Sequence, residues 1–169
     1  MGYEIAMSEQ HTTSHTTSMT VLMTPDMVNF SGKVHGGAIL KILDQVAYAC
    51  ASRYSGHYCV TLSVDQVFFR QPIHVGELVT FLAMVNCTGR TSMEIGIKVI
   101  AEDTRQRLVR HVMSSFFTMV AVDENGKPTP VPKLAPESEI AKRRFTAAQD
   151  RKKLREQFEA AHRATHAES

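Results

Sequence analysis

From Gly37 to Tyr54 apolar side chains return every three or four positions, at Ile39, Ile42, Leu43, Val46 and Cys50. That period predicts a helix with one buried face, opening at Gly37 or Ala38 and stopping at Gly56. Downstream the pattern changes. Four stretches follow without another helix: Tyr58–Phe69, Glu77–Thr88, Ser92–Glu102 and Leu108–Val122. Turn-prone segments separate them, Gln71-Pro72 to Gly76, Gly89-Arg90 and Asp103 to Gln106, so they read as strands about twice the usual length. A shorter strand is expected at Met19–Met23, "MTVLM", ended by Thr24-Pro25-Asp26. Pro128, Pro130, Pro132 and Pro136 predict a linker before a last helix from about Glu137 to Ala164.

One long helix followed by four long antiparallel strands predicts an α+β fold, in which a strongly curved sheet wraps the apolar helix. Long edge strands need cover, and pairing with a second copy supplies it. A dimer is expected from the strands alone. Residues 8–18, "SEQHTTSHTTS", carry no apolar period and read as a loose tail.

Composition narrows the class. With 169 residues, 43% of them hydrophobic, the chain can bury one ordinary core and is expected to form one such domain. No run of 18 apolar residues suggests a membrane span, and no basic-then-apolar stretch suggests a secretory signal. Cys50, Cys59 and Cys87 are odd in number and irregularly spaced, against a disulfide framework or a zinc site. A reducing, cytoplasmic location is expected. The pairs His11/His15 and His162/His166 lack a third ligand nearby, so no metal is expected. Net charge is +2, but residues 141–155, "AKRRFTAAQDRKKLR", hold seven Lys or Arg against one Asp. An anionic partner is conceivable there. The commoner fate of such a run is a solvated helix face, and nucleic acid is not the expected partner.

The candidate chemistry lies in "NFSGKVHGGAILKILDQ", residues 29–45. Exposed N–H groups at a helix start can stabilise a developing oxyanion, and Gly36 and Gly37 would leave that approach open. They would equally serve a tight entry turn. Asp44 stands seven or eight positions on, roughly 10–12 Å along the axis. It could be a base, or a surface partner of Lys41. His35 reads as a cap or loop buttress. Cys50 and Cys87 look like core thiols.

Helix first, then long strands, with "NFSGKVHGG" running into "AILKILDQ", resembles the hotdog-fold acyl-CoA thioesterases, cytosolic acyl-CoA hydrolase subgroup. "VGELV" at 75–79, "GRTSM" at 89–93 and "SSFFTMVAVD" at 114–123 add to the likeness, which spans roughly residues 17–135. It implies a flexible tail over 1–16, a hotdog domain over 17–135 and a basic helical extension over 136–169. It also implies hydrolysis of fatty acyl-CoA without a cofactor, in a homo-oligomer, a dimer at least and a trimer of dimers by preference. Carried over, Asn29 positions substrate or water, Gly36 or Gly37 forms the oxyanion site, and Asp44 of the partner chain is base or nucleophile. His35, Arg90, Thr91, Ser92, Ser114 and Ser115 are implied along the coenzyme A arm. Lys33 or a basic residue of the last helix could assist them. Val28, Phe30 and Tyr48 are acyl-pocket candidates. A hotdog dehydratase or hydratase, or a non-catalytic acyl-CoA-binding regulator, is the alternative.

Overall fold

The computed structural model describes residues 14–166. In chain order it contains β1 (Thr16–Leu22), a single 3-10 turn (Pro25–Met27), α1 (Gly36–Ser55), β2 (Tyr58–Val64), β3 (Leu78–Thr88), β4 (Ser92–Asp103), β5 (Leu108–Val122) and α2 (Glu139–His166). The strands form one sheet in the order β1-β3-β4-β5-β2, every neighbour antiparallel.

α1 packs against all five strands. Its buried stripe, Ile39, Ile42, Leu43, Val46, Ala47 and Cys50, meets the inward side chains of the sheet, Phe81 and Val85 on β3, Ile95 and Ile97 on β4, and Phe117 on β5. Burying a single Leu, Ile or Phe this way contributes about 1.5–3 kcal/mol. Gly56 ends the helix with φ +72°, a left-handed cap that glycine adopts without strain, and its N–H returns to Ser52 O at 2.9 Å. The expected α+β arrangement, sheet around helix, is the one found.

Several ends shifted by a residue or two, α1 opening at Gly36 among them; of three further boundaries, the first two moved for a tertiary reason and the third through a local cap. β1 starts at Thr16 rather than Met19, because Thr16, Thr17 and Ser18 pair with Met84, Ala83 and Leu82 of β3. Part of the expected loose tail is therefore strand. His11 lies outside the described residues; His15 is described, and its carbonyl accepts from Val85 N. The strand expected to run to Phe69 stops at Val64, after an irregularity between Thr61 and Ser63. Beyond it Asp65 N still donates to Phe116 O of β5 at 3.0 Å while its carboxylate takes Arg155 of α2, and residues 66–70 leave the ladder. α2 begins at Glu139, two residues late, because Ser138 Oγ accepts from Ala141 N at 3.1 Å as its cap.

α2 is not a simple solvated helix. It lies on the outer face of the sheet, where Ala148 is fully buried. Arg151 donates to Glu94 Oε1 at 2.6 Å and Oε2 at 3.2 Å, and lies 3.7 Å from the Phe116 ring centre. Arg155 donates to Asp65 Oδ2 at 2.8 Å and to Glu94 Oε2 at 3.3 Å. The Glu94 side chain is 1% exposed. Two members of the basic run are thus internal partners of buried acids.

Candidate active site

His35 is the N-cap of α1, with extended φ and ψ of −67° and 133°, and its Nδ1 accepts from Gly37 N at 2.9 Å. Its own N–H donates to Met27 O, and its carbonyl accepts from Ala38 and Ile39. Gly37 N–H is therefore committed to the cap. Gly36 N–H makes no hydrogen bond among the described residues, so it is the helix-start donor left to face a ligand. A Cβ at position 36 would lie 3.3 Å from the Phe69 ring, a tight contact, so the absent side chain lets that ring pack against the helix start.

Asn29 is held on the loop just before the helix. Its Oδ1 accepts from Ser31 N at 2.9 Å, Ser31 Oγ at 2.8 Å and Lys33 N at 3.2 Å. Its backbone N–H donates to Lys33 O at 2.7 Å, and Gly32 closes the turn at φ +75°. Accepting from two backbone N–H groups fixes which amide atom is oxygen. The Nδ2 group makes no bond among the described residues. Asn29 and Gly36 line one cleft of about 310 Å³ with Lys33, Phe69 and Arg70. This explains the early end of β2: only a chain that has left the ladder can bring Phe69 to Gly36.

Asp44 does not line that cleft. It is exposed on α1, away from the buried stripe, and its Oδ1 accepts from Thr61 Oγ1 at 2.6 Å. Lys41, the possible surface partner, forms no ion pair with it. Thr61 belongs to β2, whose other ladder edge is unpaired in the sheet order. Tyr58, Val60, Leu62 and Val64 of that strand are 40–65% exposed, and Tyr58 meets Tyr48 edge-on at 5.6 Å between ring centres. Asp44 thus stands beside an apolar, open strand edge. Sequence reasoning missed Thr61, and no local signal marks it: a Thr between Val60 and Leu62 is ordinary strand composition.

The implied coenzyme A residues are not gathered in one place. Arg90 and Thr91 form the β3–β4 turn, with Arg90 O accepting from Val131 N and Thr91 O from Ala121 N, both at 3.0 Å. Ser92 lines a separate cleft of about 260 Å³ with Thr118, Glu94 and Lys152. Ser114 and Ser115 are consecutive on β5 and so point to opposite faces. Ser115 is fully buried and its Oγ has no partner among the described residues, while Ser114 is exposed beside His111 Nε2 at 3.0 Å. Of the acyl-pocket candidates, Phe30 is fully exposed, Val28 bridges Val34, and Tyr48 packs on Tyr58. Cys50 and Cys87 offer no nucleophile: burial pushes the Cys50 thiol up to about 11 and raises that of Cys87.

Comparison with known proteins decides the family. A model described as "Thioesterase superfamily" matches residues 31–107. The Helicobacter pylori protein VdlD is 52% identical over 137 residues, covering 81% of this chain and 78% of that one. The chain belongs to the thioesterase superfamily. Its sheet around α1 is the hotdog fold. A crystal structure of an apo-hexameric acyl-CoA thioesterase is similar, with TM-score 0.83 and 36% identity over 86% of this chain and 94% of that one. So is the Staphylococcus aureus acyl-CoA hydrolase complexed with butyryl coenzyme A, coenzyme A and coenzyme A disulfide, at TM-score 0.82, 28% identity, 89% of this chain and 92% of that one. Variants of that hydrolase with one Asp, one Asn or one Thr replaced by Ala have also been solved.

Proposed function

We propose that this protein hydrolyses acyl-CoA thioesters, fatty acyl-CoA among them, to the free acid and coenzyme A. Asn29 and Gly36 of one subunit act with Asp44 and Thr61 of its partner. The observation that carries this reading is the split of the site within one chain. The helix-start N–H and the Asn29 amide share a cleft, while the carboxylate stands at an apolar strand edge outside it. Joining two copies through the β2 edges would cover Tyr58, Val60 and Leu62 and bring a carboxylate towards the partner's cleft. The Staphylococcus aureus hydrolase supports the assignment, because Asn, Asp and Thr are the residue types replaced in its variants.

The chemistry follows from the groups present. Gly36 N–H donates to the thioester carbonyl oxygen, and that bond strengthens as negative charge develops there. Asn29 Nδ2 orients the carbonyl or the water. Thr61 holds Oδ1 of Asp44, leaving Oδ2 to take a proton from water as the water oxygen attacks the carbonyl carbon. The tetrahedral intermediate collapses with cleavage of the carbon–sulfur bond, and the departing thiolate takes up the proton. A dehydratase would need a histidine acid in the cleft, and His35 does not line the cleft that holds Asn29 and Gly36. A homo-oligomer, hexameric like the similar thioesterase, and a cytoplasmic location complete the proposal; no helix among the described residues is long and apolar enough to cross a membrane.

Complementation tests the shared site. Mixed subunits carrying Asn29→Ala and Asp44→Ala form a heterodimer with one intact site, and activity is expected to return. Verified heterodimers as inactive as either parent would refute the cross-subunit reading.

A further inference from the structure

Between Asp65 and Ile73 the chain crosses from the sheet edge to the start of α1 without a ladder to hold it. Its far end is fixed twice. Ile73 is buried and its carbonyl accepts from Val34 N at 2.9 Å, while Arg110 Nη2 donates to Pro72 O at 2.7 Å. Its near end is Asp65, whose N–H donates to Phe116 O at 3.0 Å. From Gln66 to Gln71 no backbone group makes a hydrogen bond among the described residues, and only Val67 leans on the core. Phe69 stands in the middle, four residues from each anchor. Its ring lies against Gly36 and forms one wall of the Asn29–Gly36 cleft. Phe68 does not line that cleft; its ring carries the Arg70 guanidinium, 5.9 Å from the ring centre.

The near anchor depends on a helix 90 positions away. Arg155 Nη1 donates to Asp65 Oδ1 at 3.1 Å and Oδ2 at 2.8 Å, and also reaches Glu94 Oε2 at 3.3 Å. The two acids are not equally dependent on it. Glu94 keeps Arg151 and Asn86 if Arg155 is lost. Asp65 has no other ion pair or side-chain hydrogen bond among the described residues. Its side chain is 17% exposed and that of Arg155 19%. Burial raises the Asp65 carboxyl above its ordinary value, and Arg155 is the strongest influence in the other direction. Without Arg155, a largely buried carboxylate would stand unpaired and be drawn towards water, taking the start of the segment with it.

We propose that Arg155 is a positioning residue for the Asn29–Gly36 cleft, acting through Asp65 to hold the Phe69 ring against the start of α1. A carbonyl that is to reach Gly36 N–H must pass that ring, so the angle of approach is set partly by a cation on the outer face of the sheet. A displacement of about 1 Å at a reacting centre can lower a rate on the order of a hundredfold. The effect on turnover rests on the hydrolase reading; the clamp on residues 65–70 does not.

The test is a double-mutant cycle in the full chain between Arg155→Gln and Phe69→Ala, read as release of the coenzyme A thiol from butyryl-CoA. Each single variant is expected to lower kcat by roughly ten- to hundredfold. If Arg155 acts through Phe69, adding Arg155→Gln to Phe69→Ala lowers kcat little further. The same factor in both backgrounds would mean that Arg155 only supports folding, and overturns the proposal. Asp65→Asn breaks the pair without touching Glu94 and carries the same expectation if Arg155→Gln melts. Arg155→Lys keeps a cation for Asp65 and should recover part of the activity. Lys153→Gln, which removes an exposed cation from the same helix, should behave like the parent.

Limited chymotrypsin digestion reads the clamp without turnover. In Arg155→Gln, cleavage after Phe68 and Phe69 should rise ahead of cleavage after the buried Phe81 and Phe117, because the segment opens while the core stays closed. Cleavage that rises in step at all four sites, or at none, overturns the proposal. A parent protein that turns over no acyl-CoA would sink the hydrolase reading instead, and digestion would still decide whether Arg155 holds the segment.

Discussion

Replacing Thr61 by valine removes one hydroxyl and almost nothing else. Valine keeps the branched shape that suits an edge strand, and Thr61 is exposed, so β2 should form as before. What disappears is the 2.6 Å bond from Oγ1 to Asp44 Oδ1. The same hydroxyl lies 3.5 Å from Met119 Sδ, but thioether sulfur is a weak acceptor and the carboxylate takes the proton. A hydrogen bond to a charged group is worth about 1.5–3 kcal/mol. If the bond positions the base, that range corresponds to roughly a ten- to hundredfold loss in kcat, at about 1.4 kcal/mol per decade. KM should move little, because the contact orients Asp44 and does not hold substrate. The assay is release of the coenzyme A thiol from butyryl-CoA, followed with a thiol reagent, with thermal melts as the folding control. Thr61→Ser retains the donor and should recover most of the activity. Wild-type turnover in Thr61→Val, or a serine variant as impaired as the valine one, would refute the reasoning.

Other consequences are as direct. Arg151→Ala leaves Glu94 buried with its main cation gone, although Arg155 and Asn86 remain, so a loss of about 3 kcal/mol and a Tm lower by roughly 6–12 °C are expected; an unchanged melt would show that α2 is docked by other contacts. Arg90→Ala should raise KM for acyl-CoA, by the equivalent of about 1–3 kcal/mol, and spare a pantetheine thioester; equal damage to both substrates would make Arg90 a hairpin residue only. The Cys50 thiol, at about 11, should be only about one part in a thousand thiolate at pH 8, so iodoacetamide should label it in the unfolded chain and not in the native one. Rapid native labelling of Cys50 would contradict its burial.

Much of this protein is legible in periodicity. A stripe at Ile39, Ile42, Leu43 and Val46 cannot be buried by anything but a helix laid on an apolar surface, and the long strands after Gly56 supply that surface. Local spacing also carried the helix stop, whereas the roles expected of Asn29 and Asp44 came only from the family resemblance. Other features depend on partners distant in the chain. Thr61 meets Asp44 only because β2 crosses to pair with β5 at the sheet edge, an order no local pattern encodes. Gly36 differs from Gly37 only through the direction of the His35 ring, which commits one N–H and leaves the other. Ser114 and Ser115 are neighbours in sequence but are separated by the sheet itself. The basic run of α2 has the composition of a solvated face, yet its docking rests on Glu94 and Asp65, 57 and 90 positions away from their arginines. Periodicity records which face of an element avoids water. Which hydroxyl reaches which carboxylate is decided by strand order and register, and those are set only when the whole sheet closes on the helix.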